Sequence, residues 1–278
     1  MGTKVTAELV KRLRDRTGVG MAKCKKALDE SNGDIEQAID FLRKAGMASA
    51  VKKEERETNE GSIGFAENDT AIVFVEVNAE TDFVTQNERF KSFVSSVAET
   101  ALSAKAKDVE SLSQAAVAGG SQTVEEMRVD QVQSMGENIQ LKRVLFREKN
   151  SNASYGTYSH MGGKIVCAAE ITGGSGHDAL AKDIAMHIAA EAPDYLVPDE
   201  VPADVRSREE DVARAQVQGK PENIIDKIVE GKLRSFYEQV CLVHQKFVKD
   251  PSQTITQVVK AAGQDLELTW FLRWQIGE

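Results

Sequence analysis

The chain has 278 residues, 41% of them hydrophobic and 28% charged, with 35 Lys and Arg against 44 Asp and Glu for a net charge of −9. That length holds two modest domains, or one domain with appendages. The acidic balance argues against a phosphate-tracking nucleic-acid binder, which needs clustered Lys and Arg.

Residues 5–45 read as three short helices. The first starts at Thr6, a fair N-cap, and places Leu9, Val10 and Leu13 on one face. Thr17-Gly18-Val19-Gly20 breaks it. A second helix from Met21 is expected to bury Met21, Cys24 and Leu28, and Asn32-Gly33 ends it as a left-handed cap. Asp34 caps a third, in which Ile35, Ala38, Ile39 and Leu42 follow the helical period. Residues 46–60 read as a charged connector. Gly61–Ala66 and Thr70–Val77 form a hairpin about Glu67-Asn68-Asp69. A polar turn follows at Asn78–Val84, then a helix after Asn87 that buries Phe90, Phe93, Val94, Val97 and Ala101. Residues 104–120 are weakly patterned, and a further helix covers 123–135.

A second block repeats this order. Val144-Leu145-Phe146 reads as its opening strand. Ser154–His160 and Lys164–Thr172 form a hairpin turning at Met161-Gly162-Gly163. A helix then runs from about His177 to Glu191, with Leu180, Ile184 and His187 or Ile188 inward. Ile72–Val77 lines up with Ile165–Ile171, a faint internal duplication that implies two similar α+β subdomains. Residues 203–237 read as a helical hairpin that Pro202 starts and Gly219-Lys220-Pro221 breaks. It either projects as a dimer or partner surface or lies over the second sheet. A strand at Leu242–Val248, a helix at Thr254–Ala262 and a strand at Glu267–Ile276 close the chain.

Chemistry-bearing clusters are scarce. The four histidines, His160, His177, His187 and His244, show no i, i+4 pair and no zinc spacing. The cysteines Cys24, Cys167 and Cys241 are far apart and lack metal-ligand spacing, so reduced thiols in a cytosol are expected. Gly18-Val19-Gly20 has no preceding strand, and Gly173-Gly174-Ser175-Gly176 has no acid at the spacing a dinucleotide site needs. Acid pairs such as Glu54-Glu55 and Glu209-Glu210 sit in solvated runs. No apolar run approaches the roughly 20 residues of a membrane span, and no signal peptide opens the sequence. The expectation is a cytoplasmic binding protein rather than an enzyme, with no cofactor, no metal, no nucleic acid and no membrane. An enzyme with an unrecognised site and a plain adaptor are the rival classes.

The turn Glu76-Val77-Asn78-Ala79-Glu80-Thr81-Asp82-Phe83-Val84 carries the most information. It places an acid, Asp82, and an aromatic, Phe83, between a buried strand and a helix. From chemistry alone Phe83 has two destinations: it folds back to cap its own core, or it enters a partner's.

That segment, together with Leu13–Met21, Cys24–Leu28, Asn32–Ile35, Gly136-Glu137-Asn138-Ile139, Ala185–Ala190, Gly231-Lys232 with Phe236, and Gln245–Ser252, resembles bacterial translation elongation factor Ts. The family is the guanine-nucleotide exchange factor of elongation factor Tu. The match runs in order over nearly the whole chain. The resemblance implies an α+β protein. Residues 1–55 form a three-helix domain like the ubiquitin-associated fold, with a connector. Residues 56–141 form a first core subdomain, and 142–278 a second that includes the hairpin 203–237. It implies that the chain binds Tu in its GDP-bound and nucleotide-free forms, displaces magnesium and promotes GDP release during elongation. A homodimer or 2:2 assembly through the hairpin is left open. The family's magnesium-dislocating turn maps to Asp82, Phe83, Val84 and Thr85. Further contacts map to Val19, Gly20, Met21 and His160. The sequence departs from the family at Met161-Gly162-Gly163-Lys164, where a glycine-and-basic turn is expected, and at Lys23, where many relatives carry an acid.

Overall fold

The computed structural model describes residues 5–17, 19–44, 53, 56–118, 120–217 and 221–278. The chain divides into two compact units. The first runs to Lys149 and takes in Gly162–Lys164 and Gln275–Glu278; the second holds Asn150–Met161 and Ile165–Trp274. The architecture is α+β, with N-terminal helices and small antiparallel sheets. Most of the expected connector at 46–60, the glycine at 18 and the expected break at Gly219-Lys220 lie outside the described residues.

In the first unit, α1 (Ala7–Thr17), α2 (Met21–Glu30) and α3 (Ile35–Lys44) close around Val10, Leu13, Val19, Cys24, Ala27, Leu28, Ala38 and Leu42. The caps fall where the sequence puts them. Thr6 Oγ1 accepts from Leu9 N–H at 3.2 Å and Asp34 Oδ1 from Gln37 N–H at 3.0 Å. Asn32 and Gly33 both take positive φ. Met21 departs from expectation: it is 41% exposed, while Cys24 and Leu28 are fully buried. It shares a face with them at i, i+3 and i+7, but as the first residue of its helix it stands at the open end of that stripe.

The strands β1 (Glu60–Glu67), β2 (Ala71–Ala79) and β3 (Ile139–Glu148) form an antiparallel sheet in the order β1-β2-β3. The strand expected at Val144–Phe146 is therefore longer, and it closes the first sheet instead of opening the second block. Its partner, β2, lies some 70 residues earlier, so no local pattern could assign it. One face of β2 is covered by the long helix α5 (Glu88–Ala104), whose Phe90, Phe93, Val94, Val97 and Ala101 are buried as expected. Two further helices, α6 (Val109–Gln114) and α7 (Val124–Met135), complete that layer. The weakly patterned stretch at 104–120 thus hides a short helix, capped where Asp108 Oδ1 accepts from Ser111 N–H at 2.7 Å.

In the second unit, β4 (Ala153–His160), β5 (Ile165–Thr172) and β8 (Glu267–Gln275) form a sheet in that order, with α8 (Asp178–Glu191) packed on β4 and β5. The duplication is visible in the register. In the first hairpin Gly64 faces Val75, the residue before Glu76; in the second Gly156 faces Ala169, the residue before Glu170. Each glycine lies under the helix that follows its hairpin, Gly64 against Val94 of α5 and Gly156 against Ala181 and Lys182 of α8. A small residue at that point lets helix and sheet approach closely. Both glutamates are buried and held from a neighbouring strand: Arg143 Nε stands 2.5 Å from Glu76 Oε2, and Tyr155 donates its hydroxyl to Glu170 Oε1 at 2.9 Å. Buried carboxylates require such partners.

The helical hairpin is present as α9 (Ala203–Ala215) and α10 (Glu222–Val240), tied by Arg214 to Asp226 at 3.0 Å. The expected strand at Leu242–Val248 is not continuous. Leu242–His244 forms a single 3-10 turn, closed where His244 N–H donates to Cys241 O at 3.0 Å and anchored where Leu242 N–H donates to Tyr195 O and Val243 N–H to Leu196 O. Only Lys246–Phe247 (β6) is a strand, paired with β7 (Asp250–Thr254), and α11 (Ile255–Ala262) follows.

His187 of α8 is fully buried, as its helical position suggested. Its Nε2 lies 3.0 Å from Gln245 Oε1 and its Nδ1 accepts from Val248 N–H at 3.2 Å, which fixes the neutral tautomer. Burial pushes its pKa down, against the opposing pull of Gln245 and Glu191. A histidine with a depressed folded pKa contributes stability that is complete above its unfolded value of about 6.5 and is lost as pH falls through the folded one. The native chain should therefore lose melting temperature faster than His187→Gln between about pH 7 and pH 5. Parallel melting curves over that range would contradict the assignment.

Candidate functional site

The segment after β2 is not an open turn. Asp82–Gln86 forms one turn of helix, α4, with Thr81 as its extended N-cap. The chain enters it under restraint. Thr81 Oγ1 donates to Glu137 Oε1 at 2.7 Å, Thr81 N–H donates to Glu137 Oε2 at 3.1 Å, and Asn138 N–H donates to Glu80 Oε1 at 2.6 Å. The chain leaves it just as firmly. Asn87 N–H reaches Val84 O at 3.0 Å, and Asn87 Oδ1 caps α5 by accepting from Arg89 N–H at 2.9 Å. Thr85 Oγ1 closes the turn on Asp82 O at 2.9 Å.

Helical geometry then decides which side chains face out. Successive residues are turned by about 100°, so two neighbours can share an inner side only if the preceding two face outward. Val84 and Thr85 take the inner side, each 8% exposed, with Val84 in the core beside Phe90. Asp82 and Phe83 take the outer side, and Phe83 is 85% exposed. Of its two destinations, the ring's own core is excluded in the free chain. A phenylalanine this open has its full transfer free energy still available to a partner. Of the four residues expected in this turn, Asp82 and Phe83 are therefore presented outward, while Val84 and Thr85 hold them from beneath.

The other candidates divide in the same way. Val19 is buried in the three-helix core, where its carbonyl accepts from Cys24 Sγ at 2.9 Å. Gly20 is half-buried and Met21 exposed. Met21 lines a cavity of about 390 Å³ with Val5, Val10 and Lys25. Lys23 finds an acid of its own, Glu126 Oε1 at 3.7 Å. His160 is exposed in the second unit, stacked on Tyr158 with ring centroids 5.9 Å apart and its Nδ1 3.1 Å from the Tyr158 hydroxyl. The residue after it, Met161, takes φ +51 and is 66% exposed, so this chain presents a thioether where a basic turn was expected.

Among the described residues no group of three or more His, Cys, Asp or Glu is placed to hold a metal ion. No described helix is long and apolar enough to cross a membrane. All three cysteines are buried and outside any disulfide; burial raises the Cys24 thiol and, with Glu200 and Asp194, pushes Cys241 up to about 11.

Residues 80–278, which begin at the clamped turn and cover the second unit, match the family model described as elongation factor TS. The chain belongs to the elongation factor Ts family. The elongation factor Ts of Protochlamydia amoebophila is 54% identical over 279 residues, covering 99% of each chain. Those of Chlamydia muridarum and Chlamydia trachomatis serovar D are 44% and 43% identical, each covering 97% of this chain and 98% of their own length. A role as a translation elongation factor follows from that membership. The site holds one arrangement that reasoning from residues missed. Gly136–Ile139 was matched as a motif with no task assigned, and it proves to supply Glu137 and Asn138 to the Asp82–Phe83 turn. Only a signal linking positions more than 50 residues apart could have exposed that.

Proposed function

We propose that this chain releases GDP from elongation factor Tu by inserting Phe83 into it and disturbing its magnesium with Asp82. One observation carries the reading: Phe83 is 85% exposed on a turn held at both ends. A GTPase grips its nucleotide through backbone N–H groups around the phosphates and through the metal ion. An exchange factor works by binding the vacant form better than the GDP form. A ring already extended needs no rearrangement of its own chain to enter an apolar slot between partner helices. A carboxylate beside it competes electrostatically for the metal's shell. Met21, which lines the α1–α2 cavity, and His160 are further contacts on this reading, while Val19, Gly20, Val84 and Thr85 act as supports. The exposed Val212 and Ile224 of the helical hairpin give a 2:2 assembly its apolar contact, and sedimentation of the complex with Tu distinguishes it from 1:1.

The test is release of labelled GDP from Tu. The chain should accelerate release without consuming nucleotide, and raising free magnesium should oppose it. A release rate indifferent to the chain overturns the proposal. Acceleration that is indifferent to magnesium removes the part assigned to Asp82.

A further inference from the structure

The β2–β3 ladder pairs Asn78 with Gln140 and Ala79 with Ile139, and there its backbone pairing ends. The next two partners in the same register are Glu80 with Asn138 and Thr81 with Glu137. Both pairs are joined, but by carboxylates standing in for carbonyls. Glu80 Oε1 takes Asn138 N–H at 2.6 Å, and Glu137 takes Thr81 N–H at 3.1 Å and Thr81 Oγ1–H at 2.7 Å. The two glutamates thus form a reciprocal clasp, each accepting the N–H that its own strand partner offers. Side-chain acceptors let β2 turn away into α4 while staying tethered, which a backbone ladder would not allow.

The clasp fixes more than a strand end. By accepting the Thr81 hydroxyl hydrogen, Glu137 leaves a lone pair of that oxygen to face Val84 N–H at 3.5 Å, the N-cap contact of α4. The direction of Asp82 and Phe83 is therefore set from residue 137. Bonds from ionised acceptors are shorter and stronger than neutral ones, which suits a support that must hold geometry. Arg56 joins the same knot. Its Nη1 stands 3.3 Å from Glu80 Oε1, and its carbonyl accepts from Asn138 Nδ2 at 2.9 Å.

We infer that Glu137 is a positioning residue for nucleotide exchange, holding the Phe83 turn in its extended orientation through Thr81. The inference rests on the wedge reading of Phe83 for its effect on exchange. A support of this kind acts on the maximal rate, because a misplaced reacting group loses rate steeply with small displacement.

The experiment measures GDP release from Tu across concentrations of the native chain, Glu137→Ala, Glu137→Gln, Phe83→Ala and the double variant Glu137→Ala/Phe83→Ala. Amide hydrogen exchange is followed on the free chains. Glu137→Ala is expected to lower the maximal release rate about tenfold with little change in the half-saturating concentration. Glu137→Gln, which keeps an acceptor for Thr81, recovers part of that loss. The double variant should be no slower than Phe83→Ala alone, a result that mere loss of stability does not give. Amides of residues 81–87 should exchange faster in Glu137→Ala while those of β2 stay protected. If Phe83→Ala slows release and Glu137→Ala does not, the clasp inference falls and the wedge stands. If the two losses multiply in the double variant, Glu137 does not act through Phe83. If Phe83→Ala is without effect, the wedge falls; faster exchange confined to 81–87 in Glu137→Ala then still upholds the clasp as the turn's support, and unchanged exchange overturns it.

Discussion

Phe83→Ala is expected to slow GDP release from elongation factor Tu by roughly ten- to a hundredfold, with a melting temperature equal to that of the native chain. Full burial of a phenylalanine side chain is worth about 1.5–3 kcal/mol. A factor of ten in rate or equilibrium corresponds to about 1.4 kcal/mol. If the ring is buried only in the complex that has lost GDP, that free energy goes wholly into favouring the vacant state. The free chain loses nothing comparable, because the ring is 85% exposed and Val84, not Phe83, fills the core beneath α4. Alanine also suits a helical position. Phe83→Leu should fall between the two, since it keeps apolar volume but not the flat ring. Stopped-flow release of a fluorescent GDP, with thermal melts of the free variants, reads both halves. Native rates from Phe83→Ala would remove the wedge. A lowered melting temperature would mean that the ring supports its own chain after all.

What could be read from the sequence was what neighbouring residues settle among themselves. The three N-terminal helices and their caps at Thr6 and Asp34, both hairpins, and the inward faces of α5 and α8 follow from turn residues and from the 3.6-residue period. The duplication could be sensed in Ile72–Val77 against Ile165–Ile171. Its physical basis, a glycine under a helix and a buried glutamate one residue past its partner, appears only when strands are paired. Three of the failures involve distant partners. β3 was placed in the wrong block because its partner strand lies far back in the chain. Leu242–Val248 looks like a strand, but its first residues are anchored on Tyr195 and Leu196 and turn in a 3-10 bend before Lys246. At the turn, Asp82 and Phe83 were legible as an acid and a ring with no obvious home. Val84 and Thr85 were matched with them by resemblance, and only the one-turn helix separates the presented pair from the supporting pair. Glu137 and Glu80 carried no local signal, since a surface glutamate and a clasping one read alike.

Gly156→Ala should be the most damaging small substitution in the second unit. A Cβ at that position would stand 1.9 Å from Lys182 N, 2.2 Å from Ala181 C and 2.5 Å from Lys182 Cα. All three are backbone atoms of α8, so no side chain can rotate away, and helix and sheet must part. That separation would open the layer where Cys167, Ala169 and Ile171 meet Ala181, Ile184, Ala185 and Ile188. Interiors are packed too densely to absorb such a shift locally. Overpacking usually costs about 1–3 kcal/mol when neighbours can adjust; with rigid backbone on both sides the loss should exceed about 4 kcal/mol, enough to unfold a marginal unit. The equivalent change in the first unit provides the control. At Gly64 the nearest atom is Val94 Cγ1 at 2.6 Å, a side-chain methyl, and the nearest backbone atom is Val94 O at 3.3 Å. Gly64→Ala should stay within the usual range, since one side-chain methyl has to give and the helix backbone does not. Neither glycine has a positive φ, so the difference is purely steric. Urea midpoints should rank native above Gly64→Ala and Gly64→Ala well above Gly156→Ala. Equal losses at the two sites would mean that α8 yields as readily as one valine side chain, against the close approach on which the second unit is built.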